Sequence, residues 1–271
     1  MNRRLMWIGA FVLAASAACS AIALSRTTGP QVDEWRMRAL SARDWTSLTK
    51  LRAASWSGSD TAAFALGSVL IGDGDAARVH EGIGWLERAA GAGDVRAQLL
   101  LGRVFLNGAS GVATDYVRSR LWFERAARSL PALPPASALA VEDDHADEHA
   151  EDHGDEHAPP AGALAAYSLA SIHRNGYGVP RDAAVGLRWL TLAATWGVPQ
   201  AQFQLANVHR ERGDERQALV WLRRAAASEN PEANLALAIA YRNGELGLRK
   251  NEGDYWTYVK ETLHDYKHRA Q

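Results

Sequence analysis

The chain has 271 residues, 47% of them apolar and 23% charged, which suits one large domain or two ordinary ones and excludes wholesale disorder. Thirty Lys and Arg oppose 31 Asp and Glu, a net charge of -1, which excludes a generally basic nucleic-acid binder. The single cysteine, Cys19, excludes an intramolecular disulfide framework and a Cys-rich zinc site.

At the N-terminus, Asn2-Arg3-Arg4 precede twenty uncharged residues, Leu5 to Leu24. That is about the length a helix needs to cross a hydrocarbon core. Three readings stay open. A signal peptide would be cleaved near the small-residue run Ala14-Ala15-Ser16-Ala17-Ala18. A lipoprotein would be cut before Cys19 and lipidated there, although Ser16 stands where an aliphatic residue is usual. An uncleaved anchor would keep Arg3 and Arg4 on the cytoplasmic side. All three make residues 1–26 a signal or anchor segment that attaches or delivers the chain to the membrane. All three place the rest in the cell envelope, exported to the periplasm, either free or held by an inner-membrane or lipid anchor.

Residues 31–56, with Trp35, Leu40, Trp45, Leu48 and Leu51, read as a degenerate helical pair, within a segment 27–61, that caps the N-terminal end of a helical stack. Then the chain repeats itself. Its skeleton is Ala, Leu four residues on, a small residue at five, a bulky ring or Leu at eight, and Gly near eleven. The copies begin at Ala62, Ala97, Ala165, Ala201 and Ala233, spaced by 35, 68, 36 and 32 residues. Each is followed by a segment built on Trp85, Trp122, Trp189, Trp221 or Trp256, and four of the five carry an Ala pair four and five residues later. Apolar spacing at 0, +4, +5 and +8 puts one stripe on a helix, and a terminal Gly closes its last turn. Each copy is therefore a helical hairpin whose Trp is a packing residue. The expected fold is all-α: a right-handed α/α solenoid of about five helix-turn-helix repeats, with repeats over 62–130 and 163–271. The last copy replaces the Ala pair by Lys260-Glu261 and ends in His264, Asp265, Lys267, His268 and Arg269, which predicts a polar outer cap.

The 68-residue step holds an insertion, 131–162, bounded by Pro131, Pro134, Pro135, Pro159 and Pro160. Nine carboxylates and no Lys or Arg lie between 142 and 157, so the rest of the chain keeps 30 basic against 22 acidic groups, or +8. Within it the pattern acid-acid-His-small runs four times, placing His145, His149, His153 and His157 one helical turn apart. Imidazoles at i and i+4 can hold Zn²⁺, and neutral imidazole also suits Cu²⁺ or Ni²⁺. The same period stacks acid over acid, which disfavours a free helix, so the insertion reads as disordered with a metal- or pH-sensing alternative. The solenoid itself requires no cofactor.

The phrase Arg174-Asn175-Gly176-Tyr177-Gly178-Val179-Pro180-Arg181-Asp182, leading to Trp189 and Ala193-Ala194, resembles the Sel-one-like repeat, the α/α relative of the tetratricopeptide repeat. Asn107-Gly108 with Gly111-Val112 and Asp115 matches as well, whereas the copies from Ala62 and Ala201 lack the full loop. The resemblance covers about 62–263. It implies a scaffold that binds proteins or peptides and organises complexes, often in bacterial envelopes, with no catalysis of its own. Consistently, the sequence lacks Gly-x-Ser-x-Gly, His-Glu-x-x-His and a phosphate-binding Gly-Lys-Ser/Thr loop, so an enzyme is not expected. Off the packing stripe, Arg103, Gln202, Asn207, Arg210, Asn234 and Arg242 are the candidate partner-binding residues. A body at +8 favours an anionic partner. The alternative function is a periplasmic metal-binding or metal- and pH-sensing protein acting through the His-acid run.

Overall fold

The computed structural model describes residues 27–131 and 158–269. Twelve helices account for most of the described residues: α1 Gly29–Ser41, α2 Trp45–Trp56, α3 Asp60–Ile71, α4 Ala76–Gly91, α5 Val95–Asn107 and α6 Tyr116–Ala127. After the insertion come α7 Ala161–Asn175, α8 Ala183–Thr195, α9 Pro199–Glu211, α10 Glu215–Ala227, α11 Pro231–Asn243 and α12 Glu252–Arg269. Among the described residues there is no strand, only one isolated bridge between Ala109 and Val112. The chain is an α/α solenoid in which α3 pairs with α4, α7 with α8, α9 with α10 and α11 with α12. Two compact units result, residues 1–122 and 123–271, with the division falling inside α6.

The repeat skeleton explains the packing. In all five copies the residues at 0, +4 and +5 are buried: Ala62, Leu66 and Gly67 in the first, Ala233, Leu237 and Ala238 in the last. Position +8 is buried at Leu70 and Phe105 but only half-buried at His173, His209 and Tyr241, where a polar tip reaches water. Opposite position +5 the second helix carries a small buried residue three before its Trp: Gly82, Ser119, Gly186 and Ala218. There the hairpin crosses at close range. A Cβ on Gly67 would lie 2.9 Å from the Gly82 carbonyl oxygen, and the Ser119 hydroxyl donates to the Gly102 carbonyl at 2.8 Å. The core of the first unit gathers around Leu51, Leu66, Leu70, Leu86 and Leu101, that of the second around Leu190, Leu205, Trp221 and Leu237. Burial of each such side chain stabilises by about 1.5–3 kcal/mol.

Beyond the first hairpin, the turns close by one device. The carbonyl at +8 accepts the N–H of the residue capping the next helix: Phe105 from Asp115 at 2.7 Å, His173 from Asp182 at 2.9 Å and Tyr241 from Asn251 at 3.0 Å. Asp115 and Asp182 then accept from the Arg118 and Val185 amides, both at 2.9 Å, so the aspartate of the loop phrase is a helix cap. Gly176 (φ 76°) and Gly244 (φ 73°) end their helices left-handed, as the sequence predicts. Gly72 differs: its φ of -82° is ordinary, and Gly74 two residues later takes the left-handed turn at 83°.

Two sequence expectations are corrected at the last repeat. Trp85 and Trp221 are buried and Trp122 and Trp189 half-buried, but Trp256 is 51% exposed. With Gly253 exposed and no Ala pair, α12 lays a different face on α11, burying Thr262 and Asp265. Lys260, Glu261, His264 and Lys267 are exposed as a polar cap requires, but Asp265 turns inward and Trp256, Leu263 and Tyr266 are exposed beside them.

Candidate functional site

At about 100° per residue the buried positions 0, +4, +5 and +8 occupy one arc of the first helix of each hairpin. Positions +2, +6 and +9 lie together on the opposite side, about 200° round. In the second unit these positions form three rows. The first row is Tyr167, Phe203 and Leu235, the second Ser171, Asn207 and Ile239, the third Arg174, Arg210 and Arg242. Leu235 and Ile239 are each 44% exposed, Tyr167 and Phe203 half-buried, and all three arginines exposed.

Hydrogen bonds tie neighbouring repeats together along this face. The Gln204 amide donates to the Tyr167 hydroxyl at 2.7 Å, and Arg174 donates to Gln204 Oε1 at 3.2 Å. Burial raises the Tyr167 phenol above its ordinary value, while the nearby Arg174 charge pulls it back. Tyr167 is therefore a neutral hydrogen-bonding group at any physiological pH. Arg242 lies 5.6 Å from the Tyr255 ring centroid. Beside the arginine row a cleft of about 170 Å³ opens between α7, α8 and α9, floored by Ala170, Leu187, Leu190 and Val208 and rimmed by Arg174, Gln204 and Arg212. A larger cleft of about 300 Å³ lies in the first unit, between the α1–α2 turn and α3. Its Arg78 is already engaged, with Asp73 at 2.7 Å and the Trp45 ring at 4.8 Å, so it offers less free chemistry.

Four of the six candidate contact residues are on accessible surface: Arg103, Arg210 and Arg242 are exposed and Asn207 half-buried. Arg103 belongs to the first unit. Gln202 and Asn234 are corrected, because both are buried. They stand at +1, about 100° round the helix, which falls inside the packing arc between +8 and +5. Gln202 donates to the Ala194 carbonyl at 3.2 Å, as Gln98 donates to Ala90 at 3.0 Å, each reaching back to the Ala pair of the preceding hairpin. Asn234 instead donates to Asp265 at 2.8 Å. These are staples within the stack. Tyr167, Arg174, Phe203, Leu235 and Ile239 are not among the six candidate contact residues, although reading each position across the copies brings them out.

His145, His149, His153, His157 and Cys19 lie outside the described residues. Among the described residues no group of three or more His, Cys, Asp or Glu could hold a metal, and no helix is long and apolar enough to cross a membrane. His209 contacts Asp214 at 3.3 Å and His80 donates to the Ala76 carbonyl at 2.7 Å, both local turn contacts.

Comparison with known proteins agrees with this architecture. The model of the Sel1 repeat matches residues 61–94, 95–129, 163–195, 199–230 and 231–253. Among solved structures the chain is similar to a Sel1 repeat protein from Oxalobacter formigenes, 23% identical, with 81% of this chain and 78% of that one covered at a TM-score of 0.62. It is also similar to an immunity protein from Pseudomonas aeruginosa, 15% identical over 88% of this chain and 82% of that one, at a TM-score of 0.50. Likeness at this level of identity concerns the fold. A comparison with curated protein sequences gives no match.

Proposed function

The chain belongs to the Sel1 repeat family, and on that premise we propose that it is a non-enzymatic scaffold of the cell envelope. It holds a segment of a partner protein against the +2, +6 and +9 face of its second unit and so assembles that partner into a complex. The observation that carries this reading is the row Tyr167, Phe203 and Leu235 with Ile239, in which Tyr167 and Phe203 pack against the core yet stay partly accessible and Leu235 and Ile239 are exposed. Lone exposed apolar residues are ordinary, but a row repeated at one register across three hairpins is a surface. The envelope address rests on Asn2-Arg3-Arg4 followed by the uncharged run to Leu24.

Two measurements test it. A photo-crosslinking amino acid placed at Phe203 or Leu235 should capture a discrete partner in native cells. The same probe at the exposed Leu121 should not. Equal capture at all three positions, or none, removes the surface. A phosphatase fused after Gln271 should be active in cells, and activity confined to a cytoplasmic reporter removes the envelope address.

A further inference from the structure

We propose that the third row, Arg174, Arg210 and Arg242, reads an extended acidic segment of the partner, with one carboxylate per repeat. The proposal rests on the scaffold reading above and adds the chemistry of the partner.

Four observations lead there. First, these arginines meet neutral groups and not carboxylates inside the fold: Arg174 donates to Gln204 and Arg242 faces the Tyr255 ring. Among the described residues of the first unit, Arg36, Arg38, Arg52, Arg78, Arg96 and Arg118 each pair with a carboxylate. Among the described residues, none of Arg174, Arg210 and Arg242 lies within 4.0 Å of a carboxylate. Second, the fold does not need them there. An arginine in the last turn of a helix offsets the helix dipole, yet the corresponding helices of the first unit carry Ile71 and Leu106 at this position and no basic residue in their last turns. Third, carboxylates are scarce on the three helices that carry the row. They hold only Glu211, next to Arg210 in sequence, and Glu232, in the first turn of α11 and a helix length from Arg242. Fourth, Arg212 and Gln204 stand with Arg174 around the 170 Å³ cleft, so one carboxylate-bearing side chain finds two guanidinium groups over an apolar floor.

Geometry sets the spacing of the ligand. The hydrogen bonds from Gln204 to Tyr167 and from Arg174 to Gln204 make α7 and α9 direct neighbours. First helices of successive hairpins, joined here through long side chains, stand about 10 Å apart along such a row, the upper end of the range for helices in contact. A segment in the extended polyproline-II conformation advances about 3.1 Å per residue and returns to the same side every third residue, so one arginine is met about every third residue. The expected occupant therefore has acidic residues at i, i+3 and i+6, with apolar or small side chains between them over Tyr167, Phe203 and Leu235. Three charge-assisted contacts on exposed side chains imply binding that weakens with salt.

The probe is a fluorescein-labelled decapeptide with glutamate at every third position and serine or threonine between, measured by anisotropy on the full chain. Its glutamine twin and a peptide with the same glutamates gathered at one end are the comparisons. At low salt the spaced peptide should bind at least tenfold more tightly than either. The triple variant R174Q/R210Q/R242Q should erase that difference, while R188Q/R216Q/R223Q, also exposed but off the row, should retain it. Unchanged circular dichroism and unfolding midpoints keep both variants comparable. Equal binding of the twin or of the gathered peptide overturns the proposal, as does equal loss in the off-row variant. Binding that appears only after residues 136–160 are removed assigns the row to the chain's own acidic run and also overturns it. If the on-row variant loses the peptide but crosslinking at Phe203 and Leu235 persists, the acidic reading falls and the scaffold stands.

Discussion

Two glycines on α4, Gly82 and Gly84, give the most direct test of how closely the hairpin helices approach. Both sit in the same helix, and both can be changed to alanine. At Gly84 an added Cβ meets nothing within 4 Å, so Gly84→Ala only removes glycine's backbone entropy and should stabilise by about 0.5–1 kcal/mol. At Gly82 the same Cβ would lie 2.9 Å from Leu70 Cβ, 3.1 Å from the Gly67 carbonyl oxygen and 3.2 Å from the Ile71 amide nitrogen. Carbon contacts relax at about 3.5–4.0 Å, so α3 and α4 must part by roughly half an ångström or more. Because two of the three atoms are backbone, no rotamer change relieves the clash. Overpacking of this kind costs about 1–3 kcal/mol. The propensity gain is common to both variants, so their difference in stability isolates the packing cost at about 1–3 kcal/mol. Urea unfolding followed at 222 nm measures it, provided the slopes match and the midpoints alone move. If both variants shift the midpoint upward by the same amount, the helices do not cross at +5, and the account of the small-residue pairs is wrong for every repeat.

Other consequences are equally open to measurement. Trp221, 8% exposed, should cost about 3–5 kcal/mol on truncation to alanine, while Trp256 should cost about 1 kcal/mol or less; comparable losses would contradict the rotated docking of α12. Hydrogen bonds from the Thr46 hydroxyl first, and then the Ser47 hydroxyl, hold the Asp44 carboxyl at about 2, below its ordinary 3.8. A lowered carboxyl stabilises fully above its unfolded value and stops doing so as pH falls through the folded one. The wild type should thus lose more stability than Asp44→Asn between pH 4 and pH 2, and parallel curves would remove the cap. For the His-acid run, titration calorimetry of the full chain with Zn²⁺ should show binding at pH 7.5 that is lost at pH 5.5 and in the variant with His145, His149, His153 and His157 all changed to alanine. Binding unchanged in that variant would leave the run without a metal role.

Much of the architecture was legible in the chain before any coordinates. Five Ala-Leu-small skeletons at a fixed register can bury one stripe each only as helices, and each needs a neighbour to cover it, so the α/α stack comes from the spacing alone. The arginine row was equally present in the sequence, since Arg174, Arg210 and Arg242 all stand at +9. It emerges only when positions are compared across copies. What tertiary structure decided is which faces are covered. Gln202 and Asn234 look like surface groups by type, yet they sit within the packing arc, where hydrogen bonds to Ala194 and Asp265 offset part of the cost of their burial. Trp256 stands at the register of Trp221 but is exposed, because α12, which lacks the Ala pair, turns Thr262 and Asp265 toward α11. A helical period fixes which residues share a side, whereas the side that meets water depends on what the neighbouring helix presents, and that is settled by close contacts between residues distant in sequence.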